Sequence, residues 1–132
     1  GGLSLIDIPT RSVVATLPTG ASPAPATCTP DGSLAFIPNQ GSPYVTVIDL
    51  ANRSVAASVT VSGSPAAVAI TPDGLLALVT LMGNAVTAID IPSLTASPIS
   101  MPVGSGPFNL ALAPTGLQAL IACTNDNTAW VI

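Results

Sequence analysis

The stretch from Gly63 to Asp90, GSPAAVAITPDGLLALVTLMGNAVTAID, decides how the rest of the chain reads. An apolar run meets a Thr-Pro-Asp-Gly turn, a second apolar run follows, and after a short loop a third run ends on Ile-Asp. The same text stands on either side of it. Thr29-Pro30-Asp31-Gly32 recurs as Thr71-Pro72-Asp73-Gly74 and, in degenerate form, as Ala113-Pro114-Thr115-Gly116, in steps of 42 residues. Pro23, Pro65 and Pro107 keep that step. The Ile-Asp pairs that begin at Ile6, Ile48 and Ile89 are spaced by 42 and 41, so the third interval is one residue short. Three periods nearly fill the 132 residues. Repetition at such a period marks stacked units, each burying its faces on its neighbours.

Each period holds four short apolar runs. In the middle period they are Ala66–Thr71, Leu76–Thr80, Val86–Ile91 and Ser97–Val103. All are strand length and bounded by Gly, Pro, Asn or Ser. None carries the 3.6-residue periodicity of a helix. Leu75-Leu76-Ala77-Leu78-Val79 is apolar on both faces, where a half-exposed strand would alternate, so each small sheet is sandwiched between neighbours. The pattern predicts an all-β fold, a β-propeller of four-stranded antiparallel blades with three blade-equivalents per chain. Leu3–Ile8 and Ser12–Thr19 read as the third and fourth strands of a blade. Ala24–Thr29, Leu34–Pro38, Val45–Leu50 and Ser54–Val61 make one whole blade. Phe108–Ala113, Gln118–Ala122 and Thr128–Ile132 begin another. Residues 1–132 thus form a single propeller segment, in which 1–20 and 105–132 are parts of a split blade and 21–62 and 63–104 are whole ones. The first residues fall in mid-repeat, as expected of a processed protein or a fragment.

Pro-x-x-Val-Ala-Ile-Thr-Pro-Asp-Gly, then Leu-Ala-Leu-Val-Thr, then Val-Thr-Ala-Ile-Asp resembles the YVTN-type β-propeller repeat over the whole chain. At the naming tetrad the copies read Phe36-Ile37-Pro38-Asn39, Leu78-Val79-Thr80-Leu81 and Leu120-Ile121-Ala122-Cys123, and Asn39 alone keeps the Asn. The resemblance implies an extracellular or cell-surface protein, by analogy of fold rather than of site.

Composition narrows the function classes. Hydrophobic residues make up 48% of the chain but aromatics only 3%, so the core is built from Val, Ile, Leu and Ala. The six acidic residues are all Asp, the cations are Arg11 and Arg53, and the net charge is −4. Nucleic-acid binding needs a basic footprint against phosphate and is not expected. No apolar run approaches the roughly 18 residues of a membrane-spanning helix. Cys28 falls in the slot of Ile70 and Leu112, and Cys123 in that of Leu81, so both are expected as small buried hydrophobes rather than a disulfide framework.

The polar residues favour structural roles. In Thr-Pro-Asp-Gly, Pro sets φ, Asp accepts backbone hydrogen bonds and Gly takes the left-handed position. Asp7, Asp49 and Asp90 end third strands and can cap the next turn. Arg11 and Arg53 follow four residues after Asp7 and Asp49, and Leu94 takes that place in the third copy. The repeated Asp–Arg pair reads as a solvated pair of little energetic weight ahead of a ligand site. Carboxylates spread one per blade do not supply paired acid–base chemistry. Without His there is no Ser-His-Asp triad within one chain. Asn125-Asp126-Asn127 offers oxygen ligands of the kind calcium takes, but no second carboxylate accompanies it. Asn52-Arg53-Ser54 fits a glycosylation sequon in a turn. No catalytic residue, metal or cofactor is expected.

Variable loops on a rigid scaffold are where binding is found. Here they join second to third strands, at Asn39–Tyr44, Leu81–Ala85 and Cys123–Asn127, with Tyr44, Met82, Asn125, Asp126 and Asn127 as candidate contacts. The reading is a non-enzymatic structural or interaction module. Its partners are itself, through head-to-tail blade completion into a ring or a polymer, and other proteins or surface polymers. The alternatives are an arc of a longer binding propeller and a propeller-scaffold enzyme such as a lactonase-like hydrolase. The enzyme would gather His, Glu, Asp or Arg at the central channel, where the first strands offer Ala24, Ala66, Phe108 and Asn109 instead.

Overall fold

The computed structural model describes residues 1–99 and 104–132. Its strands are β1 (Gly2–Asp7), β2 (Ser12–Pro18), β3 (Thr27–Cys28), β4 (Leu34–Pro38), β5 (Tyr44–Asp49), β6 (Ser54–Thr60), β7 (Ser64–Ile70), β8 (Leu76–Met82), β9 (Ala85–Asp90), β10 (Thr95–Ile99), β11 (Pro107–Leu112), β12 (Ala119–Cys123) and β13 (Thr128–Val131). They form four antiparallel sheets in chain order, β1–β2, β3–β6, β7–β10 and β11–β13. Among the described residues there is no helix. The sheets are the blades of a β-propeller segment.

Two kinds of turn set the strand ends. In the Thr-Pro-Asp-Gly turn between β7 and β8, the Gly74 amide donates to Thr71 O at 2.8 Å and Gly74 sits at φ +73°. Asp73 Oδ1 accepts from Thr71 Oγ1 at 2.5 Å and from the Leu75 amide at 3.0 Å. Asp31 repeats this with Thr29 Oγ1 at 2.6 Å and the Ser33 amide at 3.0 Å. At the other kind of turn, Asp7 and Asp49 accept from the amides of Thr10 and Asn52 at 2.8 Å, and Asp90 from that of Ser93 at 2.9 Å.

Arg11, Arg53 and Leu94 follow these aspartates, at φ +53°, +52° and +53°. What repeats is therefore a backbone conformation rather than an Asp–Arg pair, which is why Leu94 can occupy the slot. Arg53 instead favours the charged form of Asp7 on the neighbouring blade.

Packing between blades follows the period-2 alternation of strands. Phe36, Val45, Val47, Val59 and Val61 of one blade meet Val68, Ala77, Val79, Leu81, Ile89 and Ile91 of the next. The opposite face of β8–β9 presents Val86 to Ile121 and Cys123 of the last sheet. Ala35, Ile37 and Ile48 are covered by Leu3 and Leu17 of β1–β2. β4, β5 and β9 are therefore apolar on both sides, as runs sandwiched between neighbouring sheets are expected to be. Asn39 is wholly buried, and its Nδ2 donates to Tyr44 O at 2.9 Å and Thr46 Oγ1 at 3.0 Å. It ties the end of β4 to the start of β5.

Other expectations are corrected as well. The strand read over Ala24–Thr29 shrinks to Thr27–Cys28, with an isolated bridge from Pro23 to Asn39. Pro23 and Pro25 have no amide to donate, so the ladder is interrupted there. Cys28 is exposed while Cys123 is buried as expected. Cys28 pairs with Ala35 on the face turned toward β1–β2. That two-stranded sheet sets no first strand against Cys28. The run read as Ser97–Val103 is a strand over Thr95–Ile99, and its last four residues lie outside the described ones.

Candidate functional site

The first strands of successive blades, β3, β7 and β11, lie side by side along the inner edge of the arc. Thr27 Oγ1 donates to Val68 O at 2.9 Å between the first two. Between β8 and β11, Thr80 Oγ1 approaches Phe108 O at 3.5 Å. These strands enclose a cleft of about 320 Å³. Pro25 and Thr27 line it from β3 and the segment before it, Ala66, Ala67 and Val68 from β7, and Phe108, Asn109 and Leu110 from β11, with Gln40 reaching in from the loop after β4. Ala66, Phe108 and Asn109 are thus where the sequence places them, while Pro25 and Thr27 take the part expected of Ala24.

A second cleft of about 200 Å³ adjoins it, lined by Met82, Gly83, Gly106, Pro107, Phe108, Thr124 and Asn125. Phe108 belongs to both clefts and forms their common wall. The loops that build this mouth join second to third strands, with the connection from fourth to first strand beside them. Gly106 stands at φ +68°, with its amide donating to Gly83 O at 2.7 Å. A Cβ there would come within 2.7 Å of Asn125 Cγ, so the close approach of the two loops needs glycine.

The structure brings Met82 and Asn125 together in this mouth and leaves out the other three candidates. Tyr44 is half-buried at the start of β5 and its carbonyl is held by Asn39. Asp126 is a turn clamp: Oδ2 accepts from the Ser105 amide at 2.7 Å, and Oδ1 from Thr128 Oγ1 at 2.6 Å. Thr128 Oγ1 in turn accepts from Trp130 Nε1 at 3.0 Å. Asn127 takes the left-handed conformation at φ +57°, which Asn tolerates better than most residues. Gln40 was legible but missed. It occupies, one repeat earlier, the same slot as Met82, and Thr124 fills it one repeat later.

Every aspartate is held below its ordinary value of 3.8 chiefly by hydrogen bonds within its own turn, and Asp126 by the Ser105 amide as well. Asp31 goes furthest, to about 2, through the Thr29 hydroxyl and then the Ser33 amide. None of these carboxylates lines either cleft. Among the described residues no group of three or more His, Cys, Asp or Glu is placed to hold a metal. The chemistry available at the mouth is neutral: an aromatic ring, a thioether, prolines, and amide and hydroxyl groups.

No family model and no curated protein matches this sequence. Solved structures do. The chain is similar to Kuenenia stuttgartiensis hydrazine synthase, with a TM-score of 0.89 at 23% identity over 99% of this chain and 39% of that one. It is similar to a functionally unknown protein from Desulfotomaculum acetoxidans DSM 771, with a TM-score of 0.77 at 21% identity over 91% of this chain and 40% of that one. It is also similar to the dihydro-heme d1 dehydrogenase NirN, solved in complex with DHE, with a TM-score of 0.80 at 20% identity over 99% of this chain and 30% of that one. The chain spans between 30% and 40% of the length of these proteins. At such identities the likeness is one of fold, and the fold shared is the β-propeller.

Proposed function

We propose that this chain is a non-enzymatic interaction module of the YVTN type, working outside the cell or at its surface, whose open blade faces are completed by a second copy bound head to tail. The observation that carries this reading is the outer face of β11–β13. Leu120 is 54% exposed and Val131 59%, with Ala111, Ala122 and Ala129 exposed around them. Leu78 and Ala88 hold the same positions one repeat earlier, where the next blade leaves them only half-exposed. Exposed apolar faces of this kind mark association surfaces.

At the other end of the arc, β1–β2 turns Ile6 and Val13 outward and leaves Cys28 uncovered. The two ends complement each other. β11 and β12 are first and second strands, and β2 is a fourth. Merging them builds one blade shared between copies, with either β1 or β13, both third strands, displaced. In such a blade the Leu120 face lies over the partner's β3–β4, where the open slot is. Two copies then make about six blades, within the roughly four to eight at which propellers close. A heterologous contact of this kind closes into a ring or runs on as a filament. The uncharged lining of the inner cleft supports the non-enzymatic part of the reading.

Light scattering after size exclusion tests it. The expected mass is twice 12.9 kDa, with Leu120→Asp returning the protein to 12.9 kDa at unchanged strand content. A wild-type chain that is a monodisperse monomer and unfolds cooperatively overturns the proposal. A second reading, one arc of a longer propeller polypeptide, is favoured by the length of the structural neighbours, of which this chain covers 39%, 40% and 30%. On that reading the isolated segment shows no defined stoichiometry.

A further inference from the structure

Repeats within one chain report which positions the scaffold fixes and which it leaves free. Pro30, Pro72 and Pro114 recur unchanged, as do Gly32, Gly74 and Gly116, because the turns require them. The slot of Gln40 instead holds Met82 and then Thr124, and the slot of Ala66 becomes Phe108 in the next copy. Pro25, Ala67 and Asn109 share a third such slot. Residues of these three slots line the two clefts at the channel mouth. Three slots whose copies disagree thus meet at one place.

We infer that this mouth binds a neutral saccharide, with the apolar face of a sugar ring on Phe108 and its hydroxyls on the side-chain amides of Gln40, Asn109 and Asn125. Phe108 is 48% exposed and stands between the two clefts, so its ring is presented to solvent rather than packed away. An aromatic face is a platform for apolar surface that carries polar groups at its edge. Amides both donate and accept, and so does a hydroxyl, whereas a charged group satisfies only one side of that exchange. Asn109 Oδ1 accepts from the Leu110 amide at 2.9 Å, which orients the amide and leaves its NH2 to donate.

Charge decides against the other ligand classes. Among the described residues no ionisable side chain lines either cleft, so burying an ionic ligand there leaves its charge unpaired. A net charge of −4 opposes an anion further. The larger cleft, at about 320 Å³, reaches the lower end of the size range of small-molecule sites. Because one chain forms both clefts, the inference goes beyond ring closure and does not depend on it.

The test is saturation-transfer NMR with isothermal titration of the full 132-residue protein. The ligands are cellotetraose, maltotetraose, mannotetraose and tetra-N-acetylchitotetraose, with polygalacturonate and adenosine as the charged and heterocyclic comparisons. At least one neutral tetrasaccharide is expected to bind saturably. Phe108→Ala weakens it roughly three- to tenfold, Asn109→Ala weakens it as well, and Phe108→Tyr keeps it. Leu117→Ala, at an exposed turn outside both clefts, leaves it unchanged. A thermal melt checks each variant, and if Phe108→Ala does not fold, Asn109→Ala and Phe108→Tyr carry the comparison. Binding of none of the four neutral sugars overturns the inference. So does tighter binding of polygalacturonate or adenosine, or sugar binding that ignores the Phe108 and Asn109 substitutions. The mass by light scattering is read separately, so failure of ring closure and failure of sugar binding are distinguishable.

Discussion

The three turn glycines allow backbone strain to be separated from steric overlap. Gly32, Gly74 and Gly116 stand at φ +72°, +73° and +71°, so replacing any of them with Ala forces nearly the same left-handed conformation on a residue with a Cβ. That cost is roughly 1–2 kcal/mol. Their surroundings differ in a graded way. A Cβ on Gly32 meets nothing within 4 Å. On Gly74 it touches Pro30 Cδ at 3.5 Å, an ordinary contact. On Gly116 it falls 2.9 Å from Pro72 Cδ, and the ring or the turn has to move. Overpacking of that sort adds about 1–3 kcal/mol. Gly32→Ala and Gly74→Ala should therefore each cost about 1–2 kcal/mol, and Gly116→Ala about 2–4 kcal/mol. Gly74→Val, β-branched at positive φ, should cost about 1–3 kcal/mol. At roughly 2.1 cal/mol/K of unfolding entropy per residue, each kcal/mol shifts Tm by about 3–4 °C for a chain of this length. Circular dichroism in the strand band measures the shifts. Trp130 is the one tryptophan and lies on β13, so its fluorescence reports locally on the sheet that contains Gly116. Equal losses at Gly32 and Gly116 would refute the account of the contact between blades, and no loss at either would refute the turn assignment itself.

Two further outcomes follow from the carboxylates and the thiols. All six aspartates are depressed in the folded state, so their contribution to stability is complete above their ordinary 3.8 and is lost as pH falls through the folded values, down to about 2 for Asp31. Tm should hold steady above about pH 5 and decline below about pH 4, and a Tm that rises on acidification would contradict the turn hydrogen bonds. Of the two free thiols, Cys28 should react rapidly with an aromatic disulfide reagent and Cys123 only as the protein opens, with two equally fast thiols ruling out the packing of Cys123 between blades. In the associated form Cys28 should slow as well.

The fold was legible because repetition let each segment be read several times over. The turn residues explain themselves: Gly74 at positive φ, Asp73 held by the Thr71 hydroxyl, Pro72 ahead of both. The faces were legible because Val79 and Leu78 point to different neighbours and both are apolar. What was not legible depended on position in the arc rather than on local sequence. Cys28 and Ile70 hold equivalent slots, yet Cys28 is exposed because the sheet beside it offers only third and fourth strands. Arg11 and Arg53 suggested charge pairing, but Leu94 at the same φ shows that the slot selects a conformation.

The candidate site divides along the same line. A repeat specifies the scaffold by constancy, so residues that serve something else are to be sought among the slots that disagree. Met82 was found as a loop residue on general grounds, but comparing it with Gln40 and Thr124 points to the mouth without any structure. Asp126 shows where that comparison has to stop. It is polar, lies in a variable loop and looks available, yet both its oxygens are committed, one to Ser105 and the other to Thr128. An acidic side chain that accepts from the residue two positions on is a turn element here: Asp31 accepts from the Ser33 amide and Asp126 from the Thr128 hydroxyl. Asn125 has a different geometry. Its amide lies against Gly106 on the cleft side of the loop, where a glycine makes room for it. Divergence between copies therefore nominates a residue, and the hydrogen bonds it already makes decide whether it is free to bind. By both criteria Gln40, Met82, Phe108 and Asn109 belong to the proposed site, with Asn125 beside them in the cleft, and the acidic residues hold the scaffold.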